Sequence, residues 1–289
     1  MPRLFVAGRY IPVNCNIIRS IRAVFFVSLF VFAPVIYVLT ERSVSGSMLS
    51  RLNTWLPHDV APSSRLIAFG VIGGLAVGFT PLNRPLRYLC TVVHELGHAF
   101  TVGILGGRPK KVTIALDASG LATFEYPGTW GRFRISVVSI AGYPAPAIAA
   151  LAAIMATQSG HPQAWFAFST ATLSVAVLLL IRNFWGFAWT AVLIAGSYLL
   201  ARHAPVAVIG TAVAAIGGFL AVQSMSHARN QFSIVRRNPS TFCDAVKIAE
   251  LWRMNSKFVS FVQLISVTGI AAFAVYMGTH PYIETILRS

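Results

Sequence analysis

The chain has 289 residues, of which 56% are hydrophobic and only 11% are charged, and this composition excludes an ordinary water-soluble domain. Its net charge of +15 would suit a soluble nucleic-acid-binding protein. Here, however, lysines and arginines cluster at the ends of apolar segments, where they orient helices and meet anionic lipid headgroups. We therefore expect a membrane protein whose partner is the lipid bilayer, with no nucleic acid. The three cysteines are an odd number and do not indicate a disulfide framework.

Apolar segments recur along the chain, most of them near the length of about 20 residues that crosses a bilayer. The segment at 66–80 is shorter and rich in glycine, so a thin span, a close-packed helix and a re-entrant segment all remain open. The pattern predicts an all-α polytopic membrane protein with about seven to eight transmembrane helices. In chain order, the segments are 21–40, 66–80, 86–105, 135–157, 164–181, 184–201, 205–224 and 258–277.

The third segment carries His94, Glu95 and His98 where a membrane helix normally carries no ionisable residue. Histidines four residues apart share one face of a helix and can direct two imidazole nitrogens at one ion. In this H-E-x-x-H pattern the glutamate acts as general base on water at the metal. Because burying these groups is costly without partners, we predict a zinc site rather than a chance match.

The stretch after this helix has the pattern of a β-hairpin. Two β-prone segments, 112–116 and 121–126, flank the turn sequence Asp117-Ala-Ser-Gly120. A hairpin next to a metal helix could offer an edge strand to an extended peptide. A plain surface hairpin fits this sequence equally well.

A catalytic zinc ion takes three protein ligands and leaves one position for water, so a third ligand is needed. Asp244 is favoured because it begins an apolar-leaning segment on the same side of the membrane as the end of the motif helix. The alternative is that Asp244 only stabilises a helix N-terminus electrostatically. Histidines at the opposite ends of the spans fit an interfacial position instead: His161, His203 and His280. The other candidates are Asp117, Glu125, His227, Cys90 and Cys243.

The loops at 107–134 and 226–257 carry the most lysine and arginine, and four predicted spans between them place both on one side of the membrane. The positive-inside rule assigns that side to the cytoplasm, so the motif helix ends at the cytoplasmic face. The arginine-rich N-terminal tail also favours the cytoplasm. Both assignments agree only if 66–80 does not cross the bilayer fully, or if one of them is wrong.

The order of these features resembles the site-2 protease family of intramembrane zinc metalloproteases, particularly its compact bacterial branch. The features are His94-Glu-Leu-Gly-His98 in a membrane helix, a hairpin, Ala141-Gly-Tyr143, and an Asn-Pro stretch that leads to Asp244. The resemblance covers about residues 86–260. One departure is Ala245, which follows the aspartate where better-studied members have glycine.

The resemblance implies a Zn²⁺ ion held by His94, His98 and Asp244, with Glu95 as the catalytic base. It also implies that the hairpin helps to hold an unwound substrate strand, which we assign to Thr113, Ile114, Ala115, Leu121, Ala122 and Thr123. The expected organisation is an N-terminal part at 1–85, a protease-like core at 86–260 and a C-terminal helix and tail at 261–289.

The expected function is that of a multi-pass endopeptidase, in the inner membrane of a bacterial cell, that cuts a membrane-protein substrate in or near a transmembrane segment. Its active site is expected towards the cytoplasm. The alternative is a non-proteolytic membrane protein that uses the metal for structure or transport. The sequence does not indicate the oligomeric state.

Overall fold

The computed structural model describes the backbone of residues 3–6 and 9–12, and residues 62–126, 128 and 131–288. The predicted span at 21–40 lies outside these residues. In chain order the elements are β1 (Arg3–Val6), β2 (Arg9–Pro12), α1 (Ser64–Val77), α2 (Asn83–Ile104), β3 (Arg108–Ile114), β4 (Gly120–Glu125), α3 (Arg132–Ala141), α4 (Pro144–Gln158), α5 (Pro162–Leu179), α6 (Phe184–His203), α7 (Val206–Arg237), α8 (Asp244–Trp252) and α9 (Ser256–Arg288).

Four helices in the described part of the chain are long and apolar enough to cross a membrane: α5, α6, α7 and α9. A fifth span results if α3 and α4, which are bent by 53° at the break between them, count as one. The 14 residues of α1 rise only about 21 Å, which is short of a hydrocarbon core of about 30 Å. The mostly helical fold and the hairpin are confirmed, but the predicted count of seven to eight spans is not.

Helix α7 is the centre of the bundle, and α1, α4 and α9 all pack against it. Glycines allow the backbones of α1 and α7 to touch. A Cβ atom at Gly74 would overlap the carbonyl of Ala215 and lie 2.8 Å from the backbone nitrogen of Phe219. A Cβ atom at Gly218 would likewise overlap the backbone of Val71. Small residues at such crossings are typical of helix pairs in membranes, where close packing replaces the hydrophobic effect as the driving force.

We expect Gly74→Ala to lower the stability of the chain by about 1–3 kcal/mol, because the added methyl group must push two backbones apart. Gly73→Ala is the matched control, since a Cβ atom there meets nothing within 4 Å and alanine is the better helix former. Thermal unfolding of the purified chain in detergent would measure both variants. Equal melting temperatures for the two variants would contradict this account of the α1–α7 contact.

The hairpin predicted at 112–126 is confirmed, and its antiparallel strands β3 and β4 lie against α2. Thr113 faces Leu121 across the pair. The turn is fixed by side chains on one face of α2, which donate hydrogen bonds to three consecutive backbone carbonyls. The donors Arg87, Tyr88 and Thr91 reach the carbonyls of Asp117, Leu116 and Ala118, respectively.

The outer edge of β3 is already paired with the link between α5 and α6. The N–H group of Val112 donates to the carbonyl of Leu180 at 2.8 Å, and its carbonyl accepts from the N–H group of Arg182 at 3.1 Å. The side-chain amide of Asn183 pairs with both backbone groups of Ile114, at 3.0 and 2.6 Å. Within this hairpin, the outer edge of β4 is therefore the one left without a neighbouring strand among the described residues.

Candidate metal centre

Three ligand atoms meet at one point of the fold. His94 and His98 lie one turn apart on α2, with their Nε2 atoms 3.2 Å apart. The Oδ2 atom of Asp244, the first residue of α8, lies 3.2 Å from Nε2 of His98 and 3.7 Å from Nε2 of His94. Zinc binds such atoms at about 2.0–2.1 Å, so tetrahedral ligands are roughly 3.3–3.4 Å apart. These three residues form the possible metal site within the described part of the chain.

The imidazole of His98 is oriented by a backbone contact behind it. Its Nδ1 atom lies 2.7 Å from the carbonyl oxygen of Val138 in α3. Because a carbonyl can only accept, Nδ1 carries the proton and donates it, which leaves the lone pair of Nε2 directed at the centre. The ring of His94 is held by Tyr143, whose ring meets it edge-on with the centroids 4.7 Å apart.

Asp244 is delivered by α8, which packs between α3 and α9. At the far end of α8, the indole N–H of Trp252 donates a hydrogen bond of 2.7 Å to the hydroxyl of Ser136 in α3. Burial raises the pKa of the Asp244 carboxyl, but the adjacent imidazoles of His94 and His98 outweigh it and hold that pKa well below its usual range. The carboxylate is therefore ionised, as a metal ligand must be.

At the break between α3 and α4, the backbone lies directly against the imidazoles of His94 and His98. Gly142 lies in this break, and a Cβ atom there would overlap Nε2 of His98 and lie 2.7 Å from Cε1 of His94. Ala141-Gly-Tyr143 was among the features of the resemblance, but this role of Gly142 was not predicted. The available signal was the pair Pro144 and Pro146 directly after it, which marks a broken helix.

Glu95 is buried beside the ligand atoms, under strand β4. The backbone amide of Ala122 lies close to its carboxylate. Gly120 lets the strand approach, because a Cβ atom there would lie 2.7 Å from Cγ and 2.8 Å from Cδ of Glu95. The glutamate is thus placed next to the metal ligands but is not one of them.

The two acidic alternatives for the third ligand are engaged in the hairpin instead. The carboxylate of Asp117 accepts hydrogen bonds from the hydroxyl and the backbone N–H of Ser119, at 2.7 and 2.9 Å. These bonds lower the pKa of Asp117 and close the hairpin turn. Glu125 forms a salt bridge with Lys110 at 2.6 Å. Neither belongs to the metal cluster.

The remaining candidates lie around the centre rather than in it. The Nδ1 atom of His227 is 3.7 Å from the sulfur of Cys90, and both residues are outside the cluster. Cys243 precedes Asp244 and lines a cavity that also contains Glu95. His161 directly precedes α5, His203 is the last residue of α6 and His280 lies within α9.

The hairpin residues that we assigned to substrate occupy different positions. Ile114 is fully buried and its backbone is paired, so β3 forms the inner strand. Leu121 is 51% exposed. Ala122 turns its N–H group towards the site. Thr113, Ala115 and Thr123 belong to the same hairpin, and a substrate role for all six residues remains a prediction.

Comparison with protein-family models matches residues 67–275 to the Peptidase M50B-like family. The chain belongs to this family. The match includes α2, the hairpin, the α3–α4 break and α8, and so contains every residue of the metal centre. It confirms the resemblance to site-2 proteases and makes this M50B-like chain a membrane peptidase by family. No curated protein and no solved structure shows a significant match to the chain.

We expect Gly142→Ala to weaken metal binding by this M50B-like chain by about tenfold or more, because the new methyl group displaces both imidazoles. The glycine has ordinary right-handed helical angles, φ −62° and ψ −53°, so alanine adds no backbone strain. Gly103→Ala, elsewhere on α2 and free of contacts, is the control. Competition with a chelator would measure both zinc affinities, and an unchanged affinity in Gly142→Ala would contradict the geometry.

Proposed function

We propose that the chain is a zinc-dependent intramembrane endopeptidase that hydrolyses a peptide bond in or near a transmembrane segment of a membrane protein. The observation that carries the proposal is the triangle of His94, His98 and Asp244 with Glu95 buried beside it. Membership of the Peptidase M50B-like family supports the same reaction class.

The donor set fits zinc, since two imidazoles and one carboxylate leave one position for water, as in catalytic zinc sites. A zinc ion there would polarise the scissile carbonyl and lower the pKa of a water molecule towards about 7. Glu95 accepts the proton of the attacking water and passes it to the leaving amine. The backbone amide of Ala122 lies next to this carboxylate.

The substrate is proposed to bind as an extended strand along the outer edge of β4. A helix hides its amide groups within itself, so the target must unwind before a peptide bond can be reached. The outer edge of β3 is occupied by the Leu180–Asn183 link, whereas β4 has no strand on its outer side in the described residues. Leu121, Ala122 and Thr123 would then contact the substrate, and Thr113, Ile114 and Ala115 would support them from behind.

The site is proposed to face the cytoplasm, in the inner membrane of a bacterial cell. The hairpin next to the metal helix carries Arg108, Lys110 and Lys111, and the end of α7 carries Arg236 and Arg237. Basic residues that flank spans remain on the cytoplasmic side, where they also meet anionic lipid headgroups. The α2 helix therefore presents its ligands near that surface.

The alternative of a non-proteolytic protein with a structural or transport metal is less well supported. Structural zinc sites are closed by four protein ligands, but this cluster has three members among the described residues. Ion transport would require ionisable groups along a path across the bilayer. Residues 162–237, which form α5, α6 and α7, contain no aspartate or glutamate.

Replacing Glu95 with glutamine should leave the zinc content unchanged and lower cleavage by about 10²–10⁴-fold, because the amide cannot accept the proton of water. Cells that carry the variant should accumulate uncut membrane proteins, which quantitative proteomics of the membrane fraction would reveal. Metal analysis of the purified variant shows whether the site is still loaded. Full cleavage by a zinc-loaded Glu95→Gln chain would exclude the role given to this residue.

A further inference from the structure

A cavity of about 330 Å³ opens beside the metal ligands, between the hairpin and α7. Its hairpin wall includes Ser119 and Gly120, next to Glu95. Its opposite wall is one face of α7, formed by residues at i, i+3, i+4 and i+7, the spacing of a single helical stripe. These residues are His227, Asn230, Gln231 and Ile234. An extended peptide on β4 would therefore have α7 on its other side.

Gln231 is the unusual member of this stripe. The residue is 4% exposed, and neither the oxygen nor the nitrogen of its amide has a hydrogen-bond partner in the described structure. A buried amide without partners is costly, particularly inside a membrane protein, so such a group is expected to pair with something that enters the cavity. Gln263 on α9 is also buried and unpaired, but it is not among the residues that line this cavity.

The position of Gln231 relative to the metal ligands is fixed by packing. One turn before it on α7, the imidazole Nδ1 of His227 contacts the sulfur of Cys90 at 3.7 Å. Cys90 itself lies one turn before His94 on α2 and is fully buried. The contact therefore joins the wall of the cavity to the helix that carries the two histidine ligands.

We propose that Gln231 binds the backbone of the substrate on the edge opposite β4. An extended strand has hydrogen-bonding groups on both edges, and β4 can pair with only one of them. A carboxamide offers a donor and an acceptor side by side, which matches the N–H and C=O groups of a peptide backbone. The substrate is thus held between β4 and Gln231, and recognition by backbone groups tolerates many side-chain sequences. This proposal rests on the peptidase function proposed above.

The test uses the full zinc-loaded chain in detergent and two metal-binding probes. One probe is a hydroxamate attached to a three-residue peptide, and the other is acetohydroxamate, which has no peptide backbone. In Gln231→Leu we expect the affinity for the peptide hydroxamate to fall by about tenfold. Its zinc content and its affinity for acetohydroxamate should stay unchanged. Gln263→Leu removes an equally buried, unpaired amide and should bind both probes as the wild type does.

A second experiment separates hydrogen bonding from packing. It uses a set of peptide hydroxamates, each N-methylated at a different backbone amide. One member of the set should bind the wild type weakly, and its affinity should not fall further in Gln231→Leu. Unchanged affinity of Gln231→Leu for the unmethylated peptide hydroxamate would overturn the proposal while leaving the peptidase function intact. If the zinc-loaded wild type bound neither hydroxamate, the peptidase function would fail and the role of Gln231 with it.

Discussion

Charged and polar groups in an apolar environment must compensate one another, because water no longer solvates them. In this chain the carboxylate of Asp244 meets the Nε2 atoms of His94 and His98, and Glu95 is buried beside them. Repulsion between the two carboxylates and the cost of their burial can be balanced by a divalent cation among the three ligand atoms. Helices α2 and α8 pack so that these groups meet at one point.

Glycines make that convergence sterically possible. Gly142 in the break between α3 and α4 brings a backbone against both imidazoles, and Gly120 brings β4 against Glu95. Within α2, Gly97 faces α4 so closely that a Cβ atom would lie 2.6 Å from that of Ala145. Each contact joins a different element to the helix that carries the motif. The centre is therefore held by backbone-to-side-chain packing, which gives ligands better-defined positions than flexible loops would.

Features of the fold and the site could be predicted from the sequence where a local pattern had a single physical explanation. An H-E-x-x-H stretch in an apolar helix predicted that two imidazoles meet at one point, and a glycine turn between β-prone segments predicted the hairpin. Contacts between distant segments could not be predicted from the sequence. The pairing of Asn183 with Ile114, the approach of Gly142 to the imidazoles and the isolation of Gln231 all depend on three-dimensional packing. The predicted number of spans is not confirmed for the described part, because α1 is short, α2 is not among the helices apolar enough to cross a membrane, and one predicted span is two bent helices.

X-ray absorption at the zinc edge, on the purified zinc-loaded chain, tests the central claim most directly. The account predicts a first shell of nitrogen and oxygen atoms only, at about 2.0–2.2 Å, with the scattering pattern of two imidazoles. Replacing Asp244 with asparagine should remove the carboxylate from that shell or prevent loading. A sulfur shell at about 2.3 Å would instead assign Cys90 or Cys243 as a ligand and would contradict the account.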